Sequence, residues 1–355
     1  MVLLSLLIGC SPQDPESTST TVCSPGEGEV FWLEGRSTFQ SLDAALDATG
    51  AWATLCLGPG QHLLEDGLLE DHGWSGQVHL VGAGVDESSL YAPDHPENLV
   101  FALGVPEQLV LESLSLESPL GLTAQELVFD NVKMEGVASQ DSLLHLSAES
   151  LLLQGLVVRD SSFSYGGLIL GATEEERSAR VQELVWEGNH AYRGTHVISQ
   201  GYRPVELKDC SVLESFDTGT SLGFPMIQAG GDLSLERCSF VGDRSSASLV
   251  YGRSLALTEV DFADSRCATG GFLQAVGSLE LERVSIQDSR SANAMMLLYS
   301  DSQGQSQAAF SELAMGTELP NTASCDFMVD GLCVRPELGE VEQWSCTDCR
   351  EAGDP

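Results

Sequence analysis

Lysine is almost absent from this 355-residue chain, occurring only at Lys133 and Lys208. Lys and Arg together number 16 against 53 Asp and Glu, a formal net charge of −37. Nucleic acids and anionic membrane surfaces both require a positive footprint, so the composition argues against either as a partner. Aromatic residues make up only 6% of the chain, so any core must be built mainly from aliphatic side chains. No Asn-Gly or Asp-Gly pair occurs between residues 108 and 318, which argues against a stack of tight antiparallel hairpins. No phosphate-cradling loop and no His-Glu-x-x-His metal motif is present. There is no calcium-roll nonapeptide either, which leaves solvated outward positions as the plain reading of the acidity and carboxylate-held calcium as the alternative.

What the chain has instead is one stretch written repeatedly. Leu279-Glu280-Leu281-Glu282-Arg283-Val284-Ser285-Ile286 follows the pattern apolar-x-apolar-x-x-apolar-x-apolar. The pattern recurs at Leu109/Leu111/Leu114/Leu116, Leu127/Phe129/Val132/Met134, Leu151/Leu153/Leu156/Val158, Val205/Leu207/Cys210/Val212, Leu233/Leu235/Cys238/Phe240 and Leu255/Leu257/Val260/Phe262. Weaker copies stand at Leu184/Trp186/Asn189/Ala191 and Ala308/Phe310/Leu313/Met315. Successive side chains of a strand point to opposite faces, so each copy is two short strands that face one interior across a bend such as Glu282-Arg283. A third apolar run precedes most copies, for example Leu168-Ile169-Leu170, Met226-Ile227 and Phe272-Leu273. A period in the twenties with internal alternation is the mark of a β-solenoid. The expected fold is all-β: a right-handed parallel β-helix (solenoid) of roughly ten rungs, with an N-terminal capping helix and a Cys-rich C-terminal cap.

Four segments follow in order. Residues 1–10 are nearly all apolar and end in Leu7-Ile8-Gly9-Cys10, too short a run to span a bilayer, which takes about 20 residues. This resembles the signal peptide and lipobox of bacterial lipoproteins, which implies lipidation at Cys10, export, and attachment to a membrane through that lipid alone. Ser11 resembles the pattern that directs such proteins to the outer membrane or cell surface. Residues 11–29 are rich in Ser, Thr, Pro, Gly and Glu and read as a flexible tether. Residues 30–318 form the coil, opened by a short helix near residues 41–48 with Phe39, Leu42, Ala45 and Leu46 on one face. Residues 319–355 are the Cys-rich cap.

The order helix, Thr54 to His62 with its Pro59-Gly60 turn, then Val78 to Gly84 ending Gly-x-Gly, resembles the entrance of the pectin-lyase-like right-handed β-helices. That family holds lyases, hydrolases and inert scaffolds alike, so the resemblance implies a fold and leaves activity open. Its polygalacturonase signatures Asn-Thr-Asp, Asp-Asp, Gly-His-Gly and Arg-Ile-Lys are absent, and the lyase Arg-Pro-Lys stops at Arg203-Pro204-Val205. Cys238-Ser239-Phe240 and Gly270-Gly271-Phe272-Leu273 also resemble, loosely, the repeats of polymorphic outer-membrane adhesins.

Ten cysteines are present. With Cys10 set aside, Cys23 and Cys56 are placed to pair across the N-terminal cap. Cys210 and Cys238 hold one template position in consecutive rungs, where a disulfide or a ladder of buried thiols would fit. Cys267 is out of register. Cys325, Cys333, Cys346 and Cys349 suit disulfides of an exported protein better than zinc, with connectivity open. No metal site is expected.

The best cluster for chemistry is His190, Tyr192, Arg193 and His196, which could exchange protons or grip an anionic sugar. No acidic partner stands at fixed spacing beside it. His62, His72, His79, His95 and His145 read as surface or strand residues. The long interval before Leu184 (184 − 151 = 33 residues) contains Gly171 to Arg180, a protruding corner loop. The expected function is a non-catalytic envelope scaffold that binds a glycan or a surface protein. The alternative is a polysaccharide lyase or glycoside hydrolase on the same fold.

Overall fold

The computed structural model describes residues 23–49, 52–63, 76–91, 107–171, 178–218, 224–269 and 271–291. Beyond these it describes the strand backbones Ala294–Tyr299, Gln307–Ser311, Ala314–Met315, Phe327–Val329 and Leu332–Val334. Cys10, Cys325, Cys346, Cys349, His72 and His95 lie outside the described residues.

The chain is nearly all β and winds as a parallel β-solenoid, as expected. The turns from Ser162–Phe163 to Arg290–Ser291 have four sides. The first side stacks parallel segments 52–57, 77–82, 108–112, 126–130, 150–154, 179–182, 205–208, 232–236, 254–258, 278–282 and 307–311. The second side follows one bend later, for instance Val157–Arg159 on Val185–Glu187 on Ser211–Leu213 on Ser239–Val241. The third carries the apolar runs, from 120–124 through Gly166–Gly171 and Thr195–Ser199 to Ala294–Tyr299. Between second and third lies a side that the sequence pattern does not announce. It is a ladder of two-residue strands, Ser162–Phe163, His190–Ala191, Phe216–Asp217, Arg244–Ser245, Arg266–Cys267 and Arg290–Ser291.

This fourth side corrects two expectations. The turn entered at residue 179 takes its template copy as Ala179/Val181/Leu184/Trp186, because Ala179 pairs with Leu151 and Val181 with Leu153. Asn189 and Ala191 therefore belong to the next corner and to the fourth side. The 33-residue interval shrinks to 28 (179 − 151), and the corner insertion is correspondingly shorter than Gly171 to Arg180. Cys267 is out of register because it fills an inward position of the fourth side, buried as a free thiol.

The corners are made by single left-handed residues. Between first and second sides stand Ser113, Asn131, Gly155, Glu183, Asp209, Arg237, Glu259 and Arg283, all with φ between 52° and 64°. The bend at Glu282-Arg283 is among them. After the second side stand Gly136, Asp160, Gly188, Glu214, Gly242, Asp264 and Asp288, with φ between 47° and 72°. An L-residue pays about 1–2 kcal/mol for this backbone and glycine does not.

The interior is one continuous apolar cluster from Val30 to Ile286, and the template positions alternate buried and outward along each strand. Outside, charges link one turn to the next: Arg159 to Glu187 at 2.9 Å, Arg180 to Glu206 at 3.2 Å, Arg237 to Asp209 at 2.6 Å and Arg283 to Glu259 at 3.0 Å. Such exposed pairs each contribute about 0–1 kcal/mol and align turns more than they hold them.

The N-terminal end is closed by two devices. Strand Val30–Trp32 runs antiparallel along 55–57 and satisfies the sheet edge. Helix α1 (Leu42–Ala48), N-capped by the Ser41 hydroxyl accepting from Ala44 N–H at 3.2 Å, buries Leu42, Ala45 and Leu46 over the core. Phe39 sits in strand Ser37–Phe39 and not on the helix. Cys23 is bonded to Cys56, and Cys210 to Cys238, whose Cα atoms lie 4.5 Å apart on consecutive turns. At the far end Phe327–Val329 and Leu332–Val334, which contains Cys333, form an antiparallel pair.

Two changes test this scheme. Gly136 has φ 68° and nothing within 4 Å of an added Cβ, so Gly136→Ala should cost about 1 kcal/mol through backbone alone in a urea titration. Replacing Cys210 and Cys238 together with Ser should lower the melting temperature by several degrees, given the roughly 2–4 kcal/mol typical of a native disulfide. A thiol count two higher for the native sequence than for this variant under denaturing, non-reducing conditions would show that the pair is not bonded.

Candidate functional site: the outer row of the fourth side

Because each fourth-side strand is two residues long, one faces in and one faces out. The outward row, in register from turn to turn, is Ser162, His190, Phe216, Arg244 and Arg266. The His190 ring lies 4.4 Å from that of Phe216, stacked within 25°, and 4.4 Å from that of Tyr192. Nε2 of His190 is 3.1 Å from the Thr218 hydroxyl. Tyr192 is 50% exposed and Phe216 38%, and Tyr165, one turn away at the same corner, is exposed too. The chain passes close beside Tyr165 only because residue 194 is glycine: a Cβ there would come within 1.8 Å of the Tyr165 carbonyl. Arg193 and Arg244 are exposed and form no ion pair with a described residue, while Arg266 reaches Asp264 at 3.5 Å. In a strongly acidic molecule this row is aromatic, then basic.

The structure thus brings together His190, Tyr192 and Arg193 but separates His196 from them. His196 is the second residue of the third-side strand Thr195–Ser199 and is 1% exposed. Its Nδ1 accepts from Trp186 Nε1 at 2.9 Å, and the rings of Phe163 and Trp186 meet it edge-on. Burial drives its pKa down to about 3, with a small contribution from His190 and an opposing one from the Phe216 carbonyl. It is a neutral core residue. The signal lay in the column it shares: Leu143, His196, Met226, Leu249 and Phe272 stand just before Leu144, Val197, Ile227, Val250 and Leu273, which pair from turn to turn. In that column residue 167 is glycine, and a Cβ there would strike the Trp186 indole at 2.5 Å.

Of the other residues read from sequence, His62 is a strand residue as expected, in Gly60–Leu63, and is buried with Nε2 2.8 Å from the Gly58 carbonyl. His79 meets Glu112 at 2.7 Å. Arg203 is fully buried and donates to the carbonyls of Ala148 at 2.6 Å, Gly171 at 2.5 Å and Glu149 at 2.8 Å, bracing a corner across turns. Sequence reasoning passed over Phe216, Arg244 and Arg266, though each stands two residues after a left-handed corner. The expectation that no Gly-x-Ser-x-Gly elbow occurs is also corrected, since Gly219-Thr220-Ser221-Leu222-Gly223 spells one. An elbow joins a strand to a helix. This segment lies between two strands, Phe216–Asp217 and Ile227–Ala229, and outside the described residues. Among the described residues no three of His, Cys, Asp and Glu gather closely enough to hold a metal ion.

Comparison with known proteins gives no kin. No family model matches the chain, and no curated protein or solved structure is significantly similar to it. Function must therefore be argued from the surface itself.

His196→Leu should lower stability by roughly 1–3 kcal/mol, because it leaves the Trp186 N–H buried without its acceptor. Equilibrium denaturation reads this, while ligand contacts on the outer row stay intact.

Proposed function

We propose that this protein is a non-catalytic scaffold that binds an acidic polysaccharide along the fourth side. The observation that carries the reading is the exposed run Tyr192–His190–Phe216, continued in register by Arg244 and Arg266. Aromatic faces offer apolar area to the C–H face of a sugar, and arginine forks match carboxylate geometry. Strands stacked about 4.8 Å apart repeat these contacts at even intervals along the coil axis, which suits a linear polymer. The row is one exposed residue wide per turn, whereas a stable protein interface needs about 800 Å² from each partner. Lipidation at Cys10 and the tether of residues 11–29 would hold the coil at the cell envelope, with the pectin-lyase-like resemblance describing its ancestry and the outer membrane its location.

The test is binding and turnover of the purified protein lacking residues 1–10 on a panel of neutral and acidic polysaccharides, with and without calcium. Binding to acidic members that falls at least tenfold in Tyr192→Ala/Phe216→Ala, and that weakens and loses salt dependence in Arg244→Ala/Arg266→Ala, supports the reading. Release of reducing or unsaturated sugar ends would establish the enzyme instead, and binding unaffected by these variants would move the site elsewhere.

A further inference from the structure

The corner after the second side holds a second column, this one facing inward: Val137, Ser161, Asn189, Ser215, Asp243, Ser265 and Ser289, all buried. Each polar member accepts the backbone N–H of the member one turn before it. Ser161 Oγ takes Val137 N–H at 3.2 Å, Asn189 Oδ1 takes Ser161 N–H at 3.0 Å, and Ser215 Oγ takes Asn189 N–H at 3.3 Å. Asp243 Oδ1 takes Ser215 N–H at 3.0 Å, Ser265 Oγ takes Asp243 N–H at 3.4 Å, and Ser289 Oγ takes Ser265 N–H at 3.2 Å.

The column also donates backward. Asn189 Nδ2 gives to the Val158 carbonyl at 2.9 Å, Ser215 Oγ to Trp186 at 3.5 Å and Ser265 Oγ to Phe240 at 3.4 Å. These carbonyls belong to successive second-side strands, and the register places Val212 in the one facing Asp243. An ionised aspartate has nothing to donate. Oδ2 of Asp243 is buried and has no hydrogen-bond partner among the described residues. A protonated carboxyl carries the same donor and acceptor as the Asn189 amide and fits the column as its neighbours do.

We propose that Asp243 is the proton-operated latch of this column: closed as the neutral acid, it holds Ser215 and thereby Phe216 of the outer row, and ionisation releases them. Ser215 N–H is its direct bond, and Phe216 is the next residue along the chain. The charged groups that bear on it are few. Glu214, at the left-handed corner beside Ser215, opposes ionisation, and the Arg244 side chain faces outward. Ser215 and Ser265, above and below, are neutral.

Burial raises the Asp243 pKa from 3.8 to about 8, with Glu214 adding to the rise and backbone hydrogen bonding at Ser215 and Val241 opposing it. In the open corner the group returns to its ordinary value near 3.8. The closed state therefore binds the extra proton between about pH 4 and pH 8, and opening becomes tenfold easier for each unit the pH rises in that window. Protection is complete in acid, falls through neutrality and levels off above about pH 8. The latch is a property of the coil and holds whatever the outer row binds.

The experiment is amide hydrogen exchange read by mass spectrometry between pH 5 and pH 8, corrected for intrinsic rates. A peptide covering Ser215 and Phe216 is followed against one covering 127–134. The protein with its native sequence should lose protection at the first peptide about tenfold per pH unit and keep it at the second. Asp243→Asn, which repeats the chemistry already present at Asn189, should make the first peptide insensitive to pH, and Asp243→Ser serves as a second variant. Flat protection with the native sequence, or the same slope persisting in both variants, would overturn the latch. An infrared difference spectrum at pH 7 between the native sequence and Asp243→Asn should contain a protonated carboxyl band, and its absence would also overturn it.

Discussion

A backbone that turns a corner exposes an N–H that no sheet neighbour can reach, and inside an apolar core that group must find a partner or cost free energy. The four-sided coil depends on how this is met. At the corner after the second side the answer is a side chain from the following turn, given by Ser161, Asn189, Ser215, Asp243, Ser265 and Ser289 in succession. Small polar residues suit the site because they hold an acceptor close to the main chain and occupy little core volume. The same bonds fix the register of the two-residue strands that follow. The outer row is therefore carried by this column, to whose carbonyls at Ser161, Asn189, Ser215 and Asp243 the backbone N–H groups of His190, Phe216, Arg244 and Arg266 donate.

Much of the architecture is legible in the sequence because strand alternation is strict wherever a side buries one face. Leu151/Leu153/Leu156/Val158 and Leu279/Leu281/Val284/Ile286 announce two sides, and Leu168-Ile169-Leu170 a third. The fourth side is silent because two residues cannot show a period, and its inward members vary from Phe163 to Ala191, Ser245 and Cys267. The frame slipped at one turn for a physical reason. Ala179 is small enough to read as a loop residue, while Leu184 and Trp186 read as a start.

The site was half legible. His190, Tyr192 and Arg193 were found as a local cluster, and distance along the chain carried His196 in with them. Three dimensions separate them, since His196 lies on the next side and its ring faces the core between Phe163 and Trp186. Phe216, Arg244 and Arg266 were missed because they are neighbours only through the stacking of turns, 22 to 28 residues apart (216, 244, 266). Some outward carboxylates are bridged from turn to turn by Arg159, Arg180, Arg237 and Arg283, whereas Arg193 and Arg244 form no ion pair among the described residues.

The two disulfides acquire a mechanical meaning in a molecule whose turns touch only their neighbours. A coil pulled from one end can peel away a turn at a time, each turn resisting with little more than its own hydrogen bonds. Cys23–Cys56 fastens the outermost strand segment to the first side, so peeling cannot begin with the cap. Cys210–Cys238 ties one turn to the next in mid-coil and shortens the length that any pull can extract. The protein is built like a spring with stops: the loop closed by Cys210 and Cys238, which holds Phe216, cannot be drawn out from either end.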